Sequence, residues 1–330
     1  MNTAEIERFL TDYSRISSGN KVKFEKLCAV LSQMQKAGID CILLKGADLI
    51  HRLYGALGLR DMVDVDMLVK ERDLQAIDAV LRALGYHPEI DGNPVYRSSD
   101  GILALDLITA IWYLDDQEPI WRRAVPRTVD GVEVKCLGTN DLLLYLTAYA
   151  VVHRAWLSPS FAQDVHLLIE REDVDWDSVV DEVSRRCLKI PMYHGLSFVV
   201  TRYAGAPIPG HVLRRLAPST IGERLWYWFV QKLVTDRPVA GLGHLLLFLT
   251  QPGLKKWRWL RDRLFPSESF LQYRYGDRWH AHPLLTRLRR PFTLLFQAIT
   301  LLTRIVRLLI TGRSDLWVRE GRISRGPLPR

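Results

Sequence analysis

Val63-Asp64-Val65-Asp66-Met67-Leu68-Val69 is the stretch on which the fold of this chain turns. Aspartates alternate with apolar residues, which is the period of a strand, so the spacing predicts a β-strand over Val63–Val69. Residues two apart on a strand share a face. Asp64 and Asp66 are therefore expected to project together, with Val63, Val65 and Met67 turned to the opposite, buried side. Two carboxylates side by side on a rigid strand repel each other unless a cation lies between them. Magnesium suits such a pair, because it takes a few carboxylates and fills its other octahedral positions with phosphate oxygens and water. A solvated strand face with two ordinary aspartates looks the same, so the surrounding sequence has to decide.

Downstream, Ile102–Ile108 reads as another strand, with Asp106 as the carboxylate inside its apolar run. A third carboxylate on a neighbouring strand lets two metals sit roughly 3.5–4 Å apart, activating an attacking hydroxyl and neutralising a leaving pyrophosphate. Asp64, Asp66 and Asp106 are thus the candidate catalytic and metal-binding set, with two magnesium ions as the expected cofactor. Upstream, Ile39–Leu44 reads as a buried strand, Lys45-Gly46 breaks it, and Ala47–Tyr54 follows as a short helix. A strand-to-helix turn offers free N–H groups and the positive end of a helix dipole to phosphate. Gly46 allows close approach there, and Lys45 either adds its charge or faces solvent. Arg60 reaches triphosphate oxygens or pairs with Asp61 or Asp64.

Further out, two amphipathic helices are expected, Thr3–Tyr13 and Lys21–Lys36, the second ended by Gly38. A helix over Arg72–Leu84 stops at Gly85, and Asp130-Gly131 between two alternating runs predicts a hairpin. From Thr139 onward strand patterns cease. Asn140 is placed to cap a helix reaching His153, and helices follow over Ser160–Glu170, Ser178–Cys187 and Met192–Tyr203. The fold class is α/β (α+β): a small mixed sheet with helices, then an all-helical region. The expected division is 1–137 for a catalytic domain with N-terminal helices, 138–254 for a helical domain and 255–330 for a basic, partly amphipathic helical tail.

The 330 residues are 48% hydrophobic and 25% charged, the balance of an ordinary globular protein. The acidic, non-apolar opening Met1–Glu7 does not read as a secretory signal, and Cys28, Cys41, Cys136 and Cys187 lie too far apart in sequence for a zinc pattern. A cytoplasmic location follows, with peripheral attachment to the inner face of the membrane as a variant of it. No P-loop and no G-x-G-x-x-G is present, and His280-Ala281-His282 reads as structural. Pro327–Arg330 reads as a frayed end. From Lys255 onward 17 Lys and Arg face 5 Asp and Glu, so the net charge of +8 belongs to the tail. Such a tail suits an anionic membrane surface, a nucleic acid or an acidic protein partner. Within it, Phe292–Ile310 is strongly apolar, with Thr293, Gln297, Thr300, Arg304, Arg307 and Thr311 gathered on one narrow face. Either the wide apolar face lies on a membrane or partner, or it packs as core.

The order of elements carries a resemblance. Leu43-Leu44-Lys45-Gly46-Ala47, Leu53-Tyr54, Gly58-Leu59-Arg60, Asp64-Val65-Asp66-Met67-Leu68-Val69, Glu71-Arg72-Asp73 and Leu84-Gly85-Tyr86 together resemble the uncharacterised bacterial nucleotidyltransferases of the polymerase-beta superfamily. The likeness is densest over 42–86 and extends more loosely to about Pro207. It implies a polymerase-beta-like catalytic domain that transfers a nucleoside monophosphate from an NTP, with ATP the expected donor. The acceptor is a small molecule, peptide, protein or RNA end. Asp64 and Asp66 match the family's metal-binding pair, Asp106 its third carboxylate, and Lys45-Gly46 the turn that stands for a Gly-Ser elsewhere in the superfamily. His153 and Asp164 match a family His and Asp on successive helices, although a lone His on an apolar helix is more often a core residue. Many members have Asp-Leu-His-Trp at the third carboxylate, where this chain has Asp106-Leu107-Ile108-Thr109. The competing class is a catalytically inactive nucleotide-binding or scaffold protein of the same fold.

Overall fold

The computed structural model describes residues 2–89, 95–251, 253, 255–275 and 282–311. His280, Ala281 and the Pro327–Arg330 end lie outside these residues. The described chain divides into two compact units. The first comprises the described residues up to Leu142 together with Arg171–Asp173, and the second comprises 143–170 and the described residues from Val174 onward.

The first unit opens with α1, Thr3–Lys36, a single helix of 34 residues where two had been expected. Asn2 starts it with a reciprocal cap, accepting from the Glu5 amide while the Glu5 side chain accepts from its own. The apolar period lapses over residues 14–20 because that part of α1 meets a loop instead of the core. Asn20 is buried, donating to the carbonyls of Leu57 (2.8 Å) and Arg60 (2.7 Å) and accepting from the Met62 amide. Asn20, in the gap between the two expected helices, is therefore a clamp.

Seven strands follow: β1 Cys41–Leu44, β2 Val65–Val69, β3 Tyr86–Pro88, β4 Val95–Ser98, β5 Ala104–Ile108, β6 Val125–Val129 and β7 Val132–Cys136. They form one mixed sheet in the order β3-β4-β5-β2-β1-β7-β6. β2 pairs parallel with β5 and antiparallel with β1, which in turn pairs parallel with β7. The Asp130-Gly131 hairpin joins β6 and β7 as its sequence predicts, both residues having positive φ (43° and 83°). β3 and β4 carry no clean alternation and were not expected. β2 begins two residues later than its pattern suggested, and Val63 is 66% exposed where burial was expected.

Alternation along the strands sorts the two faces of the sheet. Val65, Met67 and Val69 of β2, Leu105 and Leu107 of β5, and Cys41 and Leu43 of β1 join one core cluster. Phe24, Leu27, Leu31 and Met34 of α1 belong to it, as do Ile77 and Leu81 of α3, Leu74–Ala83. Residues of the other parity, Asp66 and Asp106 among them, belong to the opposite face. A short helix, α2 Gly46–Leu49, continues as a wider helical turn over Ile50–Tyr54, and α4 spans Glu118–Arg123.

Strands stop where expected, with helix α5, Thr139–Ala148, and a wide turn Tyr149–Arg154. Asn140 lies inside the first turn of α5, not at its cap. Among its described residues the second unit consists of helices and their connections, with no β-strand. Its helices are α6 Pro159–Arg171 (the last residue belongs to the first unit), α7 Trp176–Arg185, α8 Lys189–Arg202, α9 Gly210–Leu216, α10 Ile221–Leu233, α11 Leu242–Thr250, α12 Lys255–Leu264, α13 Glu268–Tyr275 and α14 Pro283–Thr311. Val151, Leu168, Leu196, Val199, Leu233 and Leu246 are fully buried within it. Gly243 lets α11 lie against the Tyr149–Arg154 turn, since a Cβ there would fall 2.1 Å from the His153 carbonyl oxygen.

Candidate functional site

The site starts from strand register. Asp66 is the Cα partner of Asp106 across the parallel pair β2 and β5, and of Leu44 across β1. The three positions thus form a row across the sheet, with carboxylates on two neighbouring strands. Asp64 stands two residues before Asp66, half-buried in the extended approach to β2. Asp66 is buried and Asp106 half-buried.

Because Leu44 ends β1 beside Asp66, the next residue leaves the sheet next to that carboxylate. Lys45 Nζ lies 2.7 Å from Asp66 Oδ1, the two side chains being 14% and 10% exposed. The Lys45 backbone has φ 51° and ψ −128°, a conformation in which a Cβ is strained. The chain thus tolerates a costly turn at the residue whose ammonium meets the aspartate. Gly46 follows, and a Cβ on it would fall 2.9 Å from Arg60 Nη1, so the Arg60 guanidinium lies directly over this glycine. Arg60 also donates to the Asp61 carbonyl. Its loop is held by Asn20 from α1, and Lys23 of the same helix donates to the Met62 carbonyl. The structure therefore brings Lys45, Gly46, Arg60, Asp66 and Asp106 to one end of the central strands.

The donor chemistry suits a hard divalent cation, since Asp64, Asp66 and Asp106 offer only carboxylate oxygens. Among the described residues no group of three or more His, Cys, Asp and Glu is arranged to hold a metal ion. The ammonium of Lys45 places a positive charge against Asp66.

Beneath the turn lies a set of buried charges that sequence reasoning missed. The Arg52 side chain donates to Asp48 (2.9 Å), to the Leu137 carbonyl (2.8 Å), to Thr139 and to both oxygens of Glu172. Arg127 and Thr139 also donate to Glu172, and Arg171 donates to the Leu53 carbonyl. Burial pushes the Asp48 carboxyl up, against the pull of Arg52. Burial would raise Glu172 too, but the hydrogen bonds from Arg52 and Thr139 and the charges of Arg52 and Arg127 outweigh it and bring it down to about 2. Asp48 and Arg52 are four apart on one helical run, a readable signal. Their partner lies 120 residues further on, and nothing in the sequence marks that link.

His153 and Asp164 belong to the second unit. His153 is exposed and stacks on Tyr149 with ring centroids 4.9 Å apart, so it is not the core histidine that its apolar setting suggested. Asp164 is buried in α6.

The model of a family described as uncharacterised nucleotidyltransferase matches residues 3–204. Two solved structures are similar. The antibiotic-resistance factor ANT(2'')-Ia is 15% identical, with 56% of this chain and 99% of that one covered at a TM-score of 0.38. An antigenic nucleotidyltransferase-like protein from Paracoccidioides brasiliensis is 14% identical, with 52% and 92% covered at 0.33. No curated protein matches the sequence.

Proposed function

The chain belongs to the uncharacterised nucleotidyltransferase family, and on that premise we propose that it is an enzyme moving a nucleoside monophosphate from an NTP, with ATP the expected donor, to an acceptor. An acceptor oxygen or nitrogen attacks the α-phosphorus, the bond to the bridging oxygen of the β-phosphate breaks, and pyrophosphate leaves. The observation that carries this reading is the pairing of Asp66 with Asp106 across β2 and β5, beside the Lys45-Gly46 turn. Asp64, Asp66 and Asp106 are the residues that would hold magnesium. When bound, magnesium supplies Lewis-acid activation of the acceptor and neutralises charge on the departing pyrophosphate. Lys45 and Arg60, side by side at Gly46, are assigned to the triphosphate oxygens, for which two cations at a glycine provide charge and close approach. His153 and Asp164 remain candidates for nucleotide contacts. In this reading residues 1–137 form the catalytic domain, 138–254 the helical domain and 255–330 the tail. A small molecule, a peptide, a protein or an RNA end is open as acceptor, because one fold hosts many chemistries.

A second reading draws on the ion pair itself. A lysine already paired with Asp66 favours a protein that binds nucleotide without turning it over. Incubation of the chain with each triphosphate, magnesium and cell extract separates the two. The enzyme releases pyrophosphate and leaves a labelled acceptor, identifiable by mass spectrometry, and Asp66→Asn abolishes both. Nucleotide binding by calorimetry with no pyrophosphate from any triphosphate overturns the catalytic reading.

A further inference from the structure

We propose that α14 is a membrane-docking helix that lies in the plane of an anionic lipid surface. Its side chains divide sharply. One face packs into the second unit: Thr286, Arg290 and Ile305 are buried, and Leu294 and Leu301 are half-buried. Arg290 fixes that face, donating from Nε to the Arg263 carbonyl of α12 (2.9 Å) and from Nη1 to the Tyr275 hydroxyl, with its guanidinium 4.8 Å from the Phe270 ring. The buried side of α14 is thus partly polar, and many of its large apolar residues are left outside.

Leu288, Phe292, Leu295, Ile299, Leu302 and Val306 recur at alternating steps of four and three, which makes a straight stripe along the helix. Each is exposed, from 50% at Ile299 to 72% at Phe292, and Phe296 beside them is 70% exposed. A contiguous apolar stripe of this kind on a folded surface marks an interaction site. Arg289 and Arg307 flank one edge of it, about 100° round from its midline at about 100° per residue, and exposed Arg304 stands about a further 60° round; the segment 283–311 contains no Asp or Glu. Charge chooses the occupant. A second copy of the chain would set arginine against arginine with no acid to answer, whereas an anionic headgroup layer meets the arginines as acyl chains receive the stripe. The adjoining α12 adds exposed Arg258 and a 66% exposed Trp257, a residue type favoured at headgroup depth. Among the described residues no helix is long and apolar enough to cross a membrane, so the helix lies on the surface instead of spanning it.

Flotation of the full chain with vesicles tests this, using phosphatidylcholine alone and phosphatidylcholine mixed with phosphatidylglycerol. Two variants accompany it: Phe292→Ser with Phe296→Ser, and Arg289→Gln with Arg304→Gln and Arg307→Gln. Phe292, Phe296 and the three arginines are exposed, and circular dichroism verifies that each variant folds. The wild type is expected to float with the anionic vesicles and at least tenfold less with the neutral ones. The phenylalanine variant loses flotation roughly tenfold or more, and the arginine variant loses the preference for anionic lipid. Absence of flotation with either vesicle overturns the proposal, as does equal flotation with both. A concentration-dependent dimer that ignores vesicles and is abolished by Phe292→Ser with Phe296→Ser also overturns it, and assigns the stripe to an interface between copies.

Discussion

The ammonium of Lys45 lies 2.7 Å from Asp66 Oδ1, and both side chains are largely withdrawn from water. The contact follows from register: Leu44 and Asp66 are partners across β1 and β2, so the first residue after β1 emerges beside the carboxylate. It joins the Lys45-Gly46 turn to the carboxylate row in one electrostatic unit. Neither residue can then be altered without disturbing the other.

That coupling is measurable. Asp66→Asn or Lys45→Met alone leaves a partly buried charge without its partner and is expected to cost about 1–3 kcal/mol of stability. The double variant removes both charges and should recover most of the loss, a non-additivity read by urea unfolding. Simple addition of the two single effects would show that the pair is not coupled.

The Lys45 backbone separates stability from binding. At φ 51° a glycine is unstrained and an alanine is not. Lys45→Gly should therefore be more stable than Lys45→Ala by about 1 kcal/mol. Both lose the ammonium and should weaken binding of a non-hydrolysable triphosphate alike. Equal stability of the two variants would mean that the turn relaxes once the lysine is gone.

Much of this arrangement was legible because it is local. The Asp-x-Asp alternation, the Lys-Gly turn, the Asp130-Gly131 hairpin and the end of strand patterns at Thr139 each need only a few neighbouring residues. What the sequence hid depends on distant partners. Asn20 lies in the gap between the two expected helices, and its role shows only once Leu57, Arg60 and Met62 are placed against it; Arg52 lies within the expected 47–54 helix, and its partner Glu172 comes from far along the chain. Val63 looked buried because alternation carries no information about where a strand begins. In α14 the apolar period was visible, but not the fact that its wide face is left uncovered.

Gly46 permits a test of the assigned triphosphate contacts. A Cβ there collides with the end of the Arg60 side chain, which is flexible enough to move aside. Gly46→Ala should fold normally yet displace the guanidinium, and Gly46→Val should do so more severely. Calorimetry with a non-hydrolysable triphosphate is expected to show affinity falling by roughly tenfold or more in Gly46→Val, the scale of one lost charge-assisted contact. Unchanged affinity in both variants would place the phosphates elsewhere.

Asp64→Asn, Asp66→Asn and Asp106→Asn each keep the side-chain shape while removing a negative charge from the proposed metal site. Magnesium-dependent pyrophosphate release should fall by roughly two orders of magnitude or more in each. The three effects should not multiply when combined, because the residues act as one set. Undiminished release by the triple variant would remove the carboxylates from the reaction.

The charges beneath the turn predict how the protein responds to acid. Glu172 is held at about 2 in the folded chain against an ordinary value of 4.5. A depressed carboxyl contributes stability that is fully present above the unfolded value and is lost as pH falls through the folded one. The window is therefore pH 4.5 down to about 2, and the contribution is on the order of 2–3 kcal/mol, the Glu172 side chain being only 17% exposed. Glu172→Gln removes this dependence. Urea midpoints should show the wild type more stable at pH 7, with the difference shrinking steadily below pH 4.5. Arg52→Met should be worse at neutral pH, by about 3–5 kcal/mol, because it leaves buried Asp48 as well as Glu172 without the guanidinium. A constant gap between Glu172→Gln and wild type from pH 7 to pH 3 would show that the ionised carboxylate is not what Arg52 stabilises.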